Sequence, residues 1–298
     1  MISLGLNEPL LIDERCLREW PLPKPGGASD KEARGRSLII AGSREIPGAV
    51  ILAAKAALRA GNGKLLIATS GSIAAGLALQ LPEARVLALP ETPAGGFAIE
   101  GAELLRPFED CIDALLIGPG MIDEAGSLPF VDLLLSRFET ASVVLDAAAM
   151  GVVNRRRHFD RPPLLLPHAG EMAHLCGLTK DEILADPVRI ARQAATDWNA
   201  VVALKGACTV VAMPDGHAWR HEVELPGLAT SGSGDILAGI VLGLAARRAG
   251  LEQAAVWGIA LHARAGAKLT ERIAPLGFLA RELADEVPAL MASLDQEN

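Results

Sequence analysis

From Arg36 onward the chain alternates short, wholly apolar runs with longer stretches of helical character. R-S-L-I-I-A-G-S reads as a buried strand ending at Gly42 and Ser43, and Pro47 and Gly48 open a helix through Ala60. Lys64–Thr69, Val86–Leu89, Asp113–Gly118, Ser142–Asp146 and Pro163–His168 are further strand candidates. Such runs do not alternate polar and apolar positions, so they predict strands buried on both faces, as in a parallel sheet covered by helices. Thr179 and Glu182 form a T-x-x-E capping box, which predicts a helix from there through Trp198. Val201–Gly206, Thr209–Met213 and H-A-W-R-H-E-V lie close together, the last two separated by Pro214–Gly216, and predict an antiparallel edge. After Asp235 the pattern is helical almost to the end.

Residues 1–36 are rich in Pro, Gly and charge, with P-L-P-K-P-G-G at Pro21–Gly27, and read as a leading helix and loop; residues 37–298 read as one catalytic domain. The expected class is α/β, a mostly parallel central sheet with helices on both faces.

Composition narrows the function. The 298 residues carry a net charge of −8, which argues against nucleic acid and anionic membranes as partners. No apolar stretch of spanning length is free of Gly, Pro or charge, and the N-terminus lacks a basic start followed by an apolar core. Cys16, Cys111, Cys176 and Cys208 are far apart, as expected of reduced thiols in a cytoplasmic protein. The run Arg155–Arg157 reads as a solvated loop.

The sharpest chemical signal is T-S-G-S-G-D at Thr230–Asp235, directly before an apolar helix. Glycines allow a tight turn, and the helix start offers N–H groups and the positive end of its dipole to an anion. Asp235 at that place repels anions, so it suits a base that deprotonates an attacking hydroxyl, or a metal contact. Other groups fall at predicted strand ends, where ligands of open α/β sheets bind: Gly118–Met121, Asp146 in D-A-A-A-M, His168 and Glu171 in P-H-A-G-E, and Lys205 in K-G-A-C-T. Each also has a plain structural reading. G-P-G can be a turn, Asp146 a helix cap, His168 a cap or core histidine, Glu171 a favourable first-turn charge, and Lys205 an edge charge. His174 and His262 fall on helices and receive no role.

Taken in order with Pro47–Ala49 and A-L-R-A-G-N-G-K at Ala57–Lys64, these segments resemble the ribokinase-like superfamily, and within it the ADP-dependent NAD(P)H-hydrate dehydratases. The resemblance implies a stand-alone enzyme that restores C6-hydrated NADH or NADPH while converting ADP to AMP and phosphate. It implies Asp235 as base and an anion hole at Gly232, Ser233 and Gly234. It places nucleotide contacts at Lys205, Gly206, Ala207, Cys208, Thr209 and Gly234, and hydrate contacts at Ala49, Gly120, His168 and Asp235. It also implies Mg²⁺ near Glu171 and Asp146 through water, and a cytoplasmic homo-oligomer, commonly a tetramer. Two positions depart from the pattern: Ala148 stands where a second acid is usual, and Ser231 where Gly is usual. A small-molecule kinase of the hydroxyethylthiazole-kinase type and a non-catalytic nucleotide-binding protein are the alternatives.

Overall fold

A computed structural model describes residues 8–24, 32 and 34–295. The chain runs through β1 (Leu10–Leu11), α1 (Glu14–Glu19), β2 (Arg36–Ile40), α2 (Gly48–Arg59), β3 (Lys64–Ser70), α3 (Gly71–Gln80), β4 (Ala84–Leu89), α4 (Ala102–Leu105), β5 (Ala114–Ile117) and α5 (Glu124–Arg137). It continues through β6 (Ser142–Leu145), a 3-10 turn (Ala147–Val152), α6 (Val153–Arg156), β7 (Leu164–Leu165), α7 (Ala169–Cys176), α8 (Lys180–Ala185) and α9 (Pro187–Trp198). The last elements are β8 (Val201–Leu204), β9 (Cys208–Ala212), β10 (Ala218–Glu222), α10 (Ser233–Ala246), α11 (Leu251–Arg272) and α12 (Ala280–Asp295).

The described strands form one sheet in the order β1-β10-β9-β8-β7-β6-β5-β2-β3-β4. Pairing is parallel from β8 to β4, and β8–β9 and β9–β10 are antiparallel. The fold is therefore the α/β architecture expected, with its antiparallel edge. Strand residues divide by parity. Ile39, Leu65, Ile67, Leu116, Val144 and Ala203 face a core shared with α2, α10, α11 and α12. Leu38, Ile40, Leu66, Leu115, Ile117 and Leu145 face a second core with α5, and Val202, Leu204, Val210 and Ala212 face α7, α8 and α9. Burial on both faces is why these strands read as unbroken apolar runs.

α10 lies against α2 at close range. A side chain at Gly239 would strike the Ala53 backbone, and one at Gly243 the Ala57 backbone. Each helical glycine costs about 1 kcal/mol of propensity relative to alanine. The contact requires them, because no Cβ fits between the two backbones.

Several expectations need correction. The capping box of Thr179 and Glu182 forms, but its helix stops at Ala185. Pro187 has no N–H to continue the ladder, and Asp186 caps a new helix by accepting from the Arg189 N–H. The strand expected over Pro163–His168 is only two residues long, because prolines flank it. Arg155–Arg157 is not a free loop: Arg155 and Arg156 end α6, and Arg156 donates to Asp132 Oδ1 at 2.5 Å and Ser136 Oγ at 2.6 Å. The leading segment holds α1 and also β1, which pairs parallel to β10. Pro25–Gly27 of the expected loop and Met1–Asn7 lie outside the described residues. No described helix is long and apolar enough to cross a membrane.

Candidate active site

The loop before α10 turns through Gly232, whose φ of 88° is left-handed and whose missing Cβ leaves room for the Leu52 methyl of α2. Gly232 is the N-cap and offers no side-chain acceptor, so the amides that open α10 are not satisfied by a cap side chain there. Asp235 sits in the first turn of this helix. A helix N-terminus normally favours an ionised carboxylate. Here burial wins, reinforced by the negative charge of Asp146 and opposed by Lys205, and the Asp235 pKa rises from 3.8 to about 6.

Lys205 follows β8 and reaches across the end of β7 to Asp146, which follows β6. Its Nζ donates to Asp146 Oδ1 at 2.9 Å and lies 4.0 Å from Glu171 Oε2. A Cβ on Gly234 would stand 3.6 Å from the same Nζ. Burial alone would lower the Lys205 pKa. Asp146 and Glu171, the hydrogen bond to Asp146, and Asp235 outweigh it and leave the ammonium more basic than usual. Asp146 is not the plain helix cap it resembles, since its side chain makes no capping bond to the 3-10 turn. Its approach has structural costs: the next residue, Ala147, holds a left-handed φ of 47°, and Gly118 must lack a side chain because a Cβ would overlap the Asp146 carbonyl.

His168 is a helix cap in fact. Its Nδ1 accepts from the N–H groups of Gly170 (3.0 Å) and Glu171 (3.2 Å), and Glu171 Oε2 accepts from the His168 N–H at 2.8 Å. With Nδ1 an acceptor, a neutral imidazole carries its proton on Nε2, and the side chain is 61% exposed, so that N–H is open to a ligand. His168 also bridges Lys205 through the backbone, where the Lys205 N–H donates to the Pro167 carbonyl at 2.8 Å. His168, Glu171, His174, Ala147, Ala148 and Glu124 line one cavity of about 390 Å³. Sequence reading gave His174 and Glu124 no place in it.

The glycine turn after β5 and the start of α2 meet where β2 lies between β5 and β3. The Gly42 N–H donates to the Pro119 carbonyl at 2.8 Å, and a Cβ on Gly120 would stand 2.7 Å from that of Ala49. Ala49 and Gly120 are therefore neighbours. Leu52, one helical turn after Ala49, connects them to Gly232.

Gly206 and Ala207 form the β8–β9 turn, and Cys208 and Thr209 open β9. The turn is closed by the Gly206 N–H donating to Thr209 Oγ1 at 3.2 Å and by that hydroxyl donating to the Gly206 carbonyl at 2.9 Å. The Cys208 thiol is half-buried against the α9 side of the sheet, and burial, then Glu222, pushes its pKa up, so it is a poor nucleophile. Sequence reasoning also missed His262 on α11, whose Nε2 lies 2.9 Å from Ser233 Oγ.

This arrangement places an ionisable carboxyl, a fixed ammonium and the N-terminus of α10 around one point, with the Ser233 N–H donating to the Thr230 carbonyl at 3.2 Å. It can hold a phosphoryl group and take a proton from an alcohol that attacks it.

Comparison with known proteins identifies the family. A family model described as NAD(P)H-hydrate dehydratase matches residues 37–289. An ADP-dependent (S)-NAD(P)H-hydrate dehydratase of Xanthomonas campestris is 47% identical over 283 residues, 95% of this chain and 96% of that protein. A bifunctional NAD(P)H-hydrate repair enzyme of Moorella thermoacetica is 38% identical over 98% of this chain, which spans only 55% of that longer protein. The crystal structure of the ADP/ATP-dependent NAD(P)H-hydrate dehydratase of Bacillus subtilis, co-crystallized with ATP and Mg²⁺, superimposes with a TM-score of 0.84 at 30% identity, covering 98% of this chain and all of that one. With its ribokinase-like sheet, its matched residues and these relatives, the chain belongs to the NAD(P)H-hydrate dehydratase family.

Proposed function

We propose that this protein removes water from the C6-hydrated forms of NADH and NADPH and converts ADP to AMP and phosphate as it does so. The observation that carries the reading is Asp235: a carboxyl with a pKa of about 6, in the first turn of α10 and close enough to Lys205 to feel its charge.

Hydroxide leaves C6 poorly, whereas a phosphate ester leaves well. Asp235 takes the proton of the C6 hydroxyl, and that oxygen bonds to the β-phosphorus of ADP as the bond to AMP breaks. A base near neutrality contributes about 10²–10⁴ in rate. The Gly232 and Gly234 amides, joined by that of Ser233 once it leaves the Thr230 carbonyl that it bonds at 3.2 Å, stabilise the transferring phosphoryl group. The ring-nitrogen lone pair then expels phosphate from C6, and loss of a proton from C5 restores the double bond. Lys205, Gly206, Ala207, Cys208 and Thr209 hold the nucleotide, and Ala49, Gly120 and His168 hold the hydrate.

Among the described residues, no group of three or more His, Cys, Asp or Glu side chains is placed to hold a metal ion. Two carboxylates, Asp146 and Glu171, lie beside Lys205, and carboxylates suit a magnesium ion that keeps its water. Asp146 and Glu171 would hold it through that water, and it would offset phosphate charge. A cytoplasmic location and a homotetramer belong to the same proposal and rest on the resemblance alone.

The test is to incubate the protein with Mg²⁺, ADP and hydrated NADH and to follow NADH absorbance. Recovery above a protein-free control is expected. No recovery rejects the reading, and accumulation of a stable phosphorylated product would mark a small-molecule kinase instead.

A further inference from the structure

Ser233, the first residue of α10, is buried, and its hydroxyl faces Nε2 of His262 at 2.9 Å. Burial pushes the His262 pKa down to about 4; the Ser233 carbonyl pulls it up and Lys205 pushes it down. The imidazole is therefore neutral at physiological pH, with one N–H and one lone pair.

Which of these sits on Nε2 decides what the serine can do. If Nε2 accepts, the serine hydrogen is spent on it, and only lone pairs remain for a ligand. If Nε2 donates, the hydroxyl hydrogen is free to point elsewhere. The neighbours of Ser233 are Gly232 and Gly234, and Lys205 Nζ lies beside Gly234. A phosphoryl group bound there has acceptor oxygens only, so it selects the state in which the serine is a donor.

We propose that His262 is a positioning residue for the phosphoryl cradle: its Nε2–H donates to Ser233 Oγ, which turns the serine hydroxyl into a donor to the transferred group alongside the backbone amides. A neutral imidazole does this without adding charge beside Lys205. The inference rests on the phosphoryl transfer proposed above.

Two measurements test it. In the first, ADP-dependent NADH recovery is followed for Ser233→Ala, His262→Ala, His262→Gln, His262→Phe and the Ser233→Ala/His262→Ala pair. Loss of one such donor lowers kcat by about a hundredfold. Ser233→Ala should show a loss of that order with the KM for ADP nearly unchanged, and His262→Ala most of it. The pair should lose no more than Ser233→Ala alone. Gln can donate to Ser233 and should restore activity, whereas Phe fills the space without a donor and should not. Equal rescue by Phe, or a pair whose loss is the product of the single losses, would overturn the proposal and leave His262 a packing residue.

In the second measurement, ¹⁵N NMR of the wild-type protein with ADP bound reads the tautomer directly and needs no turnover. Protonated Nε2 is expected; an unprotonated Nε2 refutes the proposal whatever the variants do. A wild-type protein that gives no NADH recovery would count against the proposed function, while the tautomer result would still decide the state of the His262–Ser233 pair.

Discussion

Lys205 and Asp146 form an ion pair over the end of the strand that separates them, with Nζ 2.9 Å from Oδ1 and the Asp146 side chain only 5% exposed. The pair ties the end of β8 to the end of β6, and it holds a positive charge within range of Asp235. Lys205→Met would leave the Asp146 carboxylate buried and alone. Breaking a buried pair in this way costs about 3–5 kcal/mol. Urea unfolding should show that loss, and ADP titration should show weaker binding. Adding Asp146→Leu should recover stability without recovering ADP affinity. Recovery of both would remove Lys205 from nucleotide binding.

Asp235 makes opposite demands on stability and activity. Its folded pKa is raised, so the folded state holds the proton more tightly than the unfolded chain does. Its contribution to stability is full below pH 3.8 and is lost as pH rises through about 6, a loss on the order of 3 kcal/mol. Asp235→Asn should therefore raise the Tm at pH 7.5 and leave it nearly unchanged at pH 4.

As the proposed base, the same group should set the rate. In the wild-type protein kcat/KM should fall about tenfold per pH unit below pH 6. Asp235→Asn should lower turnover at least about a hundredfold and keep ADP affinity equal or better. A modest loss of turnover would place the base elsewhere.

His168 caps α7 and is proposed to hold the hydrate, and substitution can separate the two. Asn is a strong N-cap, whereas loss of a cap to Ala costs about 1 kcal/mol. His168→Asn should hold the Tm and raise the KM for the hydrate, and His168→Ala should lower the Tm as well. If the Asn variant keeps both properties, the histidine is a cap only.

Gly232→Ala places a Cβ where φ is 88° and where the Leu52 methyl lies. The left-handed conformation costs roughly 1–2 kcal/mol for a residue other than glycine. Differential scanning calorimetry should show a destabilisation of at least that size, with reduced turnover because the opening turn of α10 shifts.

Most of the sheet was legible because its strands are buried on both faces, so each wrote itself as an apolar run between loop residues. β7 was partly legible: prolines at 163 and 167 trimmed it to two residues. β1 was not, since Leu10 and Leu11 form two residues of outer edge, 45% and 51% exposed, with no pattern to read. The break between α8 and α9 was legible in principle, because Pro187 follows a residue able to cap. The capping box at Thr179 marked the start of a helix and said nothing of its end. At the candidate site, the strand-end residues Asp146, His168, Glu171 and Lys205 do lie together, because the ends of neighbouring parallel strands share one edge of the sheet. His262 was invisible: its partner is 29 residues away, and a histidine inside a long helix carries no local mark.

The backbone contact between α10 and α2 at Gly239 and Gly243 has a mechanical meaning. One of these helices begins at the proposed phosphoryl cradle and the other just ahead of Ala49, and they are locked together along their length. The two ends of the crevice therefore behave as jaws cut from one block of material: a bulkier residue wedged at the lock would spread both, and neither can be re-tuned without disturbing its counterpart.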